Sequence, residues 1–279
     1  MGYKTILTII TDTDISDSAL EPAIALAARE EGHLDILCLG VDRTQTGYYY
    51  AGTNAFIQQE TLHKAQEDAA AIESAVKARM GRETLAWSSE AAVAQIAGLS
   101  HLVAQRARFS DLVIMPRPYG EGRGIEDEAA TEAVLFDGHA PLLVVPAGAD
   151  TAHIGRKIVI AWNQSDEAMA ALKEAMPLMQ AAEVVNIAVV DPPKHGPDRS
   201  DPGGALSQML SRHGVKTEIS VLAKTTPRVS DVLQRHAMDI GADMMIMGAY
   251  GHSRFREAIL GGATRSMLEK TTVPVLMAH

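Results

Sequence analysis

The stretch ADMMIMGAYGHSRFREAILGGATRSML, Ala242 to Leu268, sets the apolar run Met244 to Met247 directly before a loop punctuated by Gly248, Gly251, Gly261 and Gly262. A short aliphatic run bounded by glycine reads as a strand buried on both faces, and Ala263 to Leu268 has the character of a helix. Strand, glycine loop and helix is the order of one unit of a parallel α/β sheet, in which ligands gather beyond the carboxyl ends of the strands. Glycine at such a strand end can take φ > 0 and brings backbone N–H groups to a ligand with no Cβ between them. The following helix N-terminus favours an anion. His252, Arg254, Arg256 and Arg265 outnumber Glu257 here, a local field suited to phosphate. Taken alone, Gly-x-x-Gly also suits an ordinary turn with a helix C-cap at Gly261.

The same grammar runs outward along the chain. Aliphatic runs at Lys4–Ile10, Leu34–Val41, Leu85–Trp87, Asp111–Met115 and Leu142–Val145 read as strands. Helix-period segments separate them, near Asp17–Glu31, Ala55–Met80 and Ala91–Ala107. From Arg156 the order restarts, with strands at Lys157–Trp162, Val184–Val190, Lys216–Leu222, Asp243–Met247 and Val273–Ala278, and helices near Asp166–Gln180 and Val229–Ile240. Residues echo as well as pattern: Ser110-Asp111-Leu112-Val113-Ile114-Met115 matches Ala242-Asp243-Met244-Met245-Ile246-Met247, and Ala140-Pro141-Leu142-Leu143 matches Val273-Pro274-Val275-Leu276. The spacing predicts two similar domains, 1–148 and 154–279, joined near Pro146–Thr151.

Composition agrees with an α/β class. The 279 residues are 47% apolar but only 4% aromatic, which suits helices on aliphatic strands better than an aromatic platform for bases. A formal charge of -10 disfavours duplex nucleic acid and anionic membrane as partners. No apolar run reaches the ~18 residues that cross a bilayer, and Ile6 replaces the serine or threonine of a myristoylation signal. A cytoplasmic protein is expected. Cys38, the single cysteine, sits inside a strand-like run and reads as inert core. Met244, Met245 and Met247 read as core rather than a soft-metal site, so no metal ligand set is expected.

The spacing Gly248-x-x-Gly251, nine residues, then Gly261 resembles the G-x2-G-x9-G-(S/T) signature of the universal stress protein family. The resemblance extends over nearly the whole chain, as a tandem member of two such domains. It implies Rossmann-like, adenine nucleotide alpha hydrolase-like domains, each a five-stranded parallel sheet of order 3-2-1-4-5 with helices on both faces. Adenine nucleotide, ATP or AMP, with Mg²⁺ for ATP, binds between the ends of strands one and four in many members. On that model Gly248, Gly251, His252, Ser253, Gly261, Gly262 and Ala263 line the phosphates, and Thr264 adds a hydroxyl. Val190 matches the position whose backbone meets adenine, and Asn163 the position that contacts the nucleoside. Two departures stand out: Gly262 replaces the serine or threonine of the signature, and Asn163 replaces an aspartate, losing a charge.

The first half departs further, reading Pro116-Arg117-Pro118-Tyr119-Gly120-Glu121-Gly122-Arg123-Gly124 after its fourth strand. Prolines donate no N–H, and Glu126, Asp127 and Glu128 bring negative charge to the segment that corresponds to Gly261. Asp12 remains as a family-like residue of a degenerate first site.

Other chemistry finds no anchor: the chain has no Walker loop, no His-Glu-x-x-His and no Gly-x-Ser-x-Gly, so no catalytic residue is expected. His252 and Ser253 are adjacent and poorly placed as base and nucleophile, and read as loop polarity. Tyr48-Tyr49-Tyr50 either packs on its own domain or stacks on a planar ligand. Asp191 to Gly196 reads as a solvated loop. The uncharged closing strands of both halves are risky as open edges, so an internal pseudo-dimer of the domains, and association of two chains as a homodimer, are expected. The function expected is that of a non-enzymatic stress-response module with an adenine-nucleotide site in its second half. A nucleotide-independent interaction protein with a relic loop, and a slow ATP hydrolase, are the alternatives.

Overall fold

The computed structural model describes residues 2–14, 18–43, 54–120, 122–150, 153–192, 201–249 and 262–279, with backbone alone for 54–58. It divides into two units, Gly2–Leu142 and Leu143–His279. The first contains β1 (Thr5–Ile10), α1 (Leu20–Glu30), β2 (His33–Asp42), α2 (Asn54–Met80), β3 (Trp87–Gln95), α3 (Ile96–Ala107), β4 (Leu112–Pro116) and α4 (Ile125–Glu132). A π-turn, Ala133–Asp137, extends α4 toward β5 (Leu142–Val145), in which the division falls. The second contains β6 (Lys157–Ala161), α5 (Asp166–Glu174), α6 (Met176–Ala181), β7 (Val184–Val190), α7 (Gly204–Arg212), β8 (Thr217–Leu222), α8 (Val229–Asp239), β9 (Met244–Gly248), α9 (Ala263–Lys270) and β10 (Val275–Ala278).

The strands run β3-β2-β1-β4 in the first unit, with β5 beside β4, and β8-β7-β6-β9-β10 in the second. Both are the order 3-2-1-4-5 expected above. The pairings of β6 with β7 and β9, and of β9 with β10, are parallel, so each connection must cross a face of the sheet, and helices fill those crossovers. Burial on both faces explains why β4 and β9 are uninterrupted apolar runs. Cys38, in β2, has no exposed surface, and burial, with Glu73 nearby, pushes its thiol up to about 12. It is a core side chain, not a nucleophile.

Two elements differ from the sequence expectation. β3 occupies nine residues, paired with β2 from Leu34↔Trp87 to Asp42↔Gln95, where a strand ending at Trp87 and a helix from Ala91 were expected. Alanines favour helix, but β2 offers a full row of main-chain partners, and tertiary pairing overrides propensity. The expected helix over Asp166–Gln180 is broken into α5 and α6, because Pro177 in the first turn of α6 has no N–H to continue the helix.

The residue echo has a structural purpose. Asp111 accepts the N–H groups of Lys4 and Thr5 at 2.7 and 2.9 Å, and Asp243 those of Gly155 and Lys157 at 2.8 and 3.1 Å. Each carboxylate pins the start of strand one to the start of strand four through charge-assisted hydrogen bonds.

A polar contact also crosses the interior of the second unit. His236 Nε2 lies 2.9 Å from Asn186 Oδ1, whose Nδ2 donates to Ser220 Oγ at 3.0 Å. Burial pushes the His236 imidazole down from its ordinary value, against the opposing pull of Asp239. A depressed folded-state value means the unfolded chain takes up the proton first. This contribution is therefore complete above pH 6.5 and is lost as the pH falls below it. Urea unfolding of wild type and His236→Gln between pH 7.5 and 5.5 should show a shallower decline of stability with acidification in the variant. Equal slopes would mean that His236 titrates alike in both states.

Candidate functional site

In the second unit, β6 lies between β7 and β9, the point where the winding of the sheet reverses. The register Ala161↔Met247 brings Trp162 level with Gly248 and sets the tips of β6 and β9 side by side. A crevice at such a switch point is where doubly wound sheets bind ligands. Beyond β6 the chain turns sharply. Gln164 adopts φ 63, Asn163 Oδ1 accepts the Ser165 N–H at 3.1 Å, and Ser165 Oγ caps α5 by accepting from Ala168 N at 3.1 Å. Asn163 thus spends its carbonyl on the turn, and its amide Nδ2 is the group with donors to offer. Asp12 makes the same bond at the tip of β1, its Oδ1 accepting from Asp14 N at 3.0 Å. The two turns use the same local bond, although the strand register sets Asp12 one position beyond the equivalent of Asn163.

Gly248 has a different role from the one its loop position suggested. It is absent from the glycines with positive φ, and a Cβ there would lie 2.5 Å from Ala168 N and 2.7 Å from the Glu167 carbonyl carbon. The glycine is needed so that the end of β9 can touch the first turn of α5. Gly262 is the N-cap of α9, at φ -56 and ψ 160, with no side-chain cap. Its carbonyl opens the helix by accepting the Ser266 N–H at 3.1 Å. Ala263 is exposed in the first turn, whose N–H groups an α-helix cannot satisfy internally. Thr264 is only 3% exposed, so it belongs to the packed side of α9 rather than to its open end. Arg265 pairs with Glu269 one turn on at 3.0 Å, which removes it from the cationic field expected around the loop. Val190 closes β7 opposite Leu222, half-buried beside the β6 tip. Gly251, His252, Ser253, Gly261, Arg254, Arg256 and Glu257 lie outside the described residues, as do Tyr48-Tyr49-Tyr50 and Lys194 to Gly196.

Two contributors escaped the sequence expectation. His279 Nδ1 hydrogen-bonds the Ala249 carbonyl at 2.9 Å, and Ala249 N donates to Ala278 O at 2.9 Å, so the end of β10 anchors the start of the glycine loop. Neither has a local sequence signal, because both join residues about 30 positions apart.

In the first unit α4 opens with carboxylates. Glu126, 4% exposed, pairs with Arg43 at the end of β2, with Arg43 Nε donating at 3.0 Å. Burial pushes the Glu126 carboxyl up, but Arg43 and the backbone N–H of Glu126 itself outweigh it and hold the group below the usual range. Asp127 accepts from Gly124 N at 2.9 Å and from Thr11 Oγ1 at 3.1 Å, while burial holds its carboxyl above the usual range. A cavity of about 90 Å³ remains at the tips of β1 and β4, bordered by Thr11, Asp12, Ser18, Pro116 and Arg123. This is smaller than the roughly 300 to 1,000 Å³ of typical ligand pockets.

A parallel sheet of order 3-2-1-4-5, with the strand-four glycine set beside the tip of strand one, defines a doubly wound α/β domain. Residues 155–279 match the model of the universal stress protein family. A universal stress protein of Synechocystis is 34% identical over 73 residues, 26% of this chain and 24% of that protein, so the match spans about a quarter of the relative. Among solved structures, a universal stress protein from Archaeoglobus fulgidus superposes with a TM-score of 0.73 at 14% identity, covering 98% of this chain and 95% of its own. A second, from Pseudomonas aeruginosa, gives a TM-score of 0.61 at 16% identity, covering 99% and 93%. The fold is thereby shared over nearly the full length, in a tandem arrangement of two domains. No helix among the described residues is long and apolar enough to cross a membrane.

Proposed function

We propose that this chain is a non-enzymatic, cytoplasmic stress-response module that binds an adenine nucleotide, ATP with Mg²⁺ or AMP, in its second domain alone. The domains are taken as 1–148 and 154–279. The observation that supports this is the alignment of Trp162 with Gly248, which sets the end of β9, where the glycine loop begins, beside the tip of β6. On this reading the backbone from Gly248 to Thr264 receives the phosphates, Asn163 Nδ2 donates to the nucleoside and Val190 meets the adenine edge. Gly251, His252, Ser253, Gly261, Gly262 and Ala263 supply the loop. The first domain, whose α4 opens with Glu126 and Asp127, serves as a packing or regulatory partner, and two chains associate as a homodimer.

Calorimetry with ATP and Mg²⁺, and with AMP, tests the reading. Wild type should bind one equivalent, and Gly251→Ala should bind about tenfold more weakly, because a Cβ obstructs a glycine that admits ligand to the backbone. Absence of heat with either nucleotide would favour a nucleotide-independent interaction protein with a relic loop. Phosphate release above a blank would favour a slow hydrolase.

A further inference from the structure

A second cavity lies at the opposite end of the first unit, near the amino ends of β1, β2 and β3. It measures about 260 Å³ and is bordered by Leu7, Leu37, Asp35, Ser88, Glu90 and Arg106. Leu7, Ile36 and Leu37 supply apolar wall with Phe109, and the other bordering residues are polar. Asp35 Oδ1 accepts from Ser88 Oγ at 2.5 Å, and His33 Nε2 stands 3.1 Å from the same hydroxyl and 3.4 Å from the same carboxylate oxygen. Glu90 and Arg106 neutralise one another across two hydrogen bonds of 2.6 and 2.8 Å. The Asp35 side chain is 42% exposed, and Phe109, at the rim, is 79% exposed.

The second half shows what meets the equivalent register position. Leu7 pairs with Asp35 and Val159 with Asn186, while Ile6 pairs with Leu112 and Ile158 with Met244. Asp35 and Asn186 therefore hold the same register position in the two halves. In the second half the imidazole of His236, from the helix before strand four, reaches down to Asn186. The Ser110–Met115 and Ala242–Met247 match, carried back along α3 and α8, sets Ala104 against His236. Both helices end at matching positions, Ala107 and Asp239, so the correspondence has no slip. Where one half has a ring that hydrogen-bonds an amide, the other has a methyl group and a carboxylate. A planar nitrogen-bearing ring is removed from the interior, and the acceptor beneath it gains a negative charge.

We propose that this cavity binds a planar nitrogen cation, an amidinium, guanidinium or imidazolium group, with the Asp35 carboxylate as its anchor. The charge balance supports a cation: Glu90 and Arg106 cancel, Asp35, with the His33 imidazole 3.4 Å away, adds a negative charge, and the carbonyl end of α3 is adjacent. Phe109, exposed at the mouth, is an aromatic ring within reach of a delocalised cation. The volume lies just below the range of small-ligand pockets, which limits the ligand to a compact group or to one side chain of a partner.

Benzamidine is a suitable probe, with benzamide as its neutral, nearly isosteric control. Titration of the full chain, followed by calorimetry and by amide chemical shifts, should show one benzamidine bound, with shifts concentrated in β2, β3 and the end of α3. Benzamide should bind about tenfold more weakly, and Asp35→Asn should weaken benzamidine by about the same factor, since each removes one member of a charge-assisted pair. Ala104→His, which restores the ring found in the second half, should abolish binding. Should that variant fail to fold, Asp35→Asn still decides, because its half-exposed site tolerates the change. No benzamidine bound at about 10 mM, or a folded Asp35→Asn chain with unchanged affinity, would overturn the proposal.

Discussion

Gly40→Ala is expected to lower the stability of the first unit by about 3 kcal/mol or more, the upper part of the range for overpacking. Gly40 lies in β2 beneath α2, and a Cβ there would fall 1.9 Å from the Ala65 carbonyl oxygen and 3.1 Å from the Ala69 Cβ. The obstruction is helix backbone, which cannot rotate aside as the end of a side chain would. The whole of α2 must move off the sheet, and with it Ala65, Ala69, Ile72 and Val76, all buried against it. Thermal unfolding should show a fall of about 10 °C. Gly98→Ala, in α3 with nothing within 4 Å of the added methyl, is the control and should be neutral or stabilising by up to about 1 kcal/mol. Similar midpoints for the two variants would mean that α2 and β2 are less tightly apposed than described.

Gly248→Ala should cost the second unit about 2–3 kcal/mol for a related reason. Its Cβ would meet the Ala168 amide nitrogen at 2.5 Å and the Glu167 Cβ at 2.9 Å. Relief requires the first turn of α5 to retreat, carrying Ser165, its cap, and the turn that Asn163 stabilises. Urea unfolding should show a lower midpoint with an unchanged slope. The comparison with Gly251→Ala is informative for function. Loss of nucleotide affinity at Gly248 should accompany loss of stability, whereas a loop glycine that serves the ligand alone should lose affinity at constant stability. A fully stable Gly248→Ala chain would mean that this glycine is not held by α5.

Much of the architecture was legible because it is written locally. Apolar runs such as Leu112–Met115 and Met244–Met247 show no alternation, as strands covered on both faces should, and the glycine spacing marked the end of strand four. The family resemblance, carried by that spacing, supplied the strand order that periodicity does not contain. The site was legible in part. Asn163 and Gly248 do come together at the strand tips, but Gly248 turns out to serve helix contact, Thr264 is packed, and Arg265 is paired with Glu269. In the first half, the acidic run Glu126 to Glu128 was read as repulsion. Its first two carboxylates are bonded within the unit, to Arg43, Gly124 and Thr11.

What the residues determined unaided are quantities that depend on near neighbours: the strand and loop boundaries, the repeat, the inert cysteine and the glycine-marked loop. What only the tertiary structure decided are relations between distant positions. Ala91 to Gln95 became strand because β2 lay alongside, and His236 meets Asn186 in the second half where the first half has Ala104 and Asp35. Local preferences differ by fractions of a kcal/mol per residue, whereas a full row of main-chain partners or a missing ring involves several groups at once, so assembly overrides the local tendency.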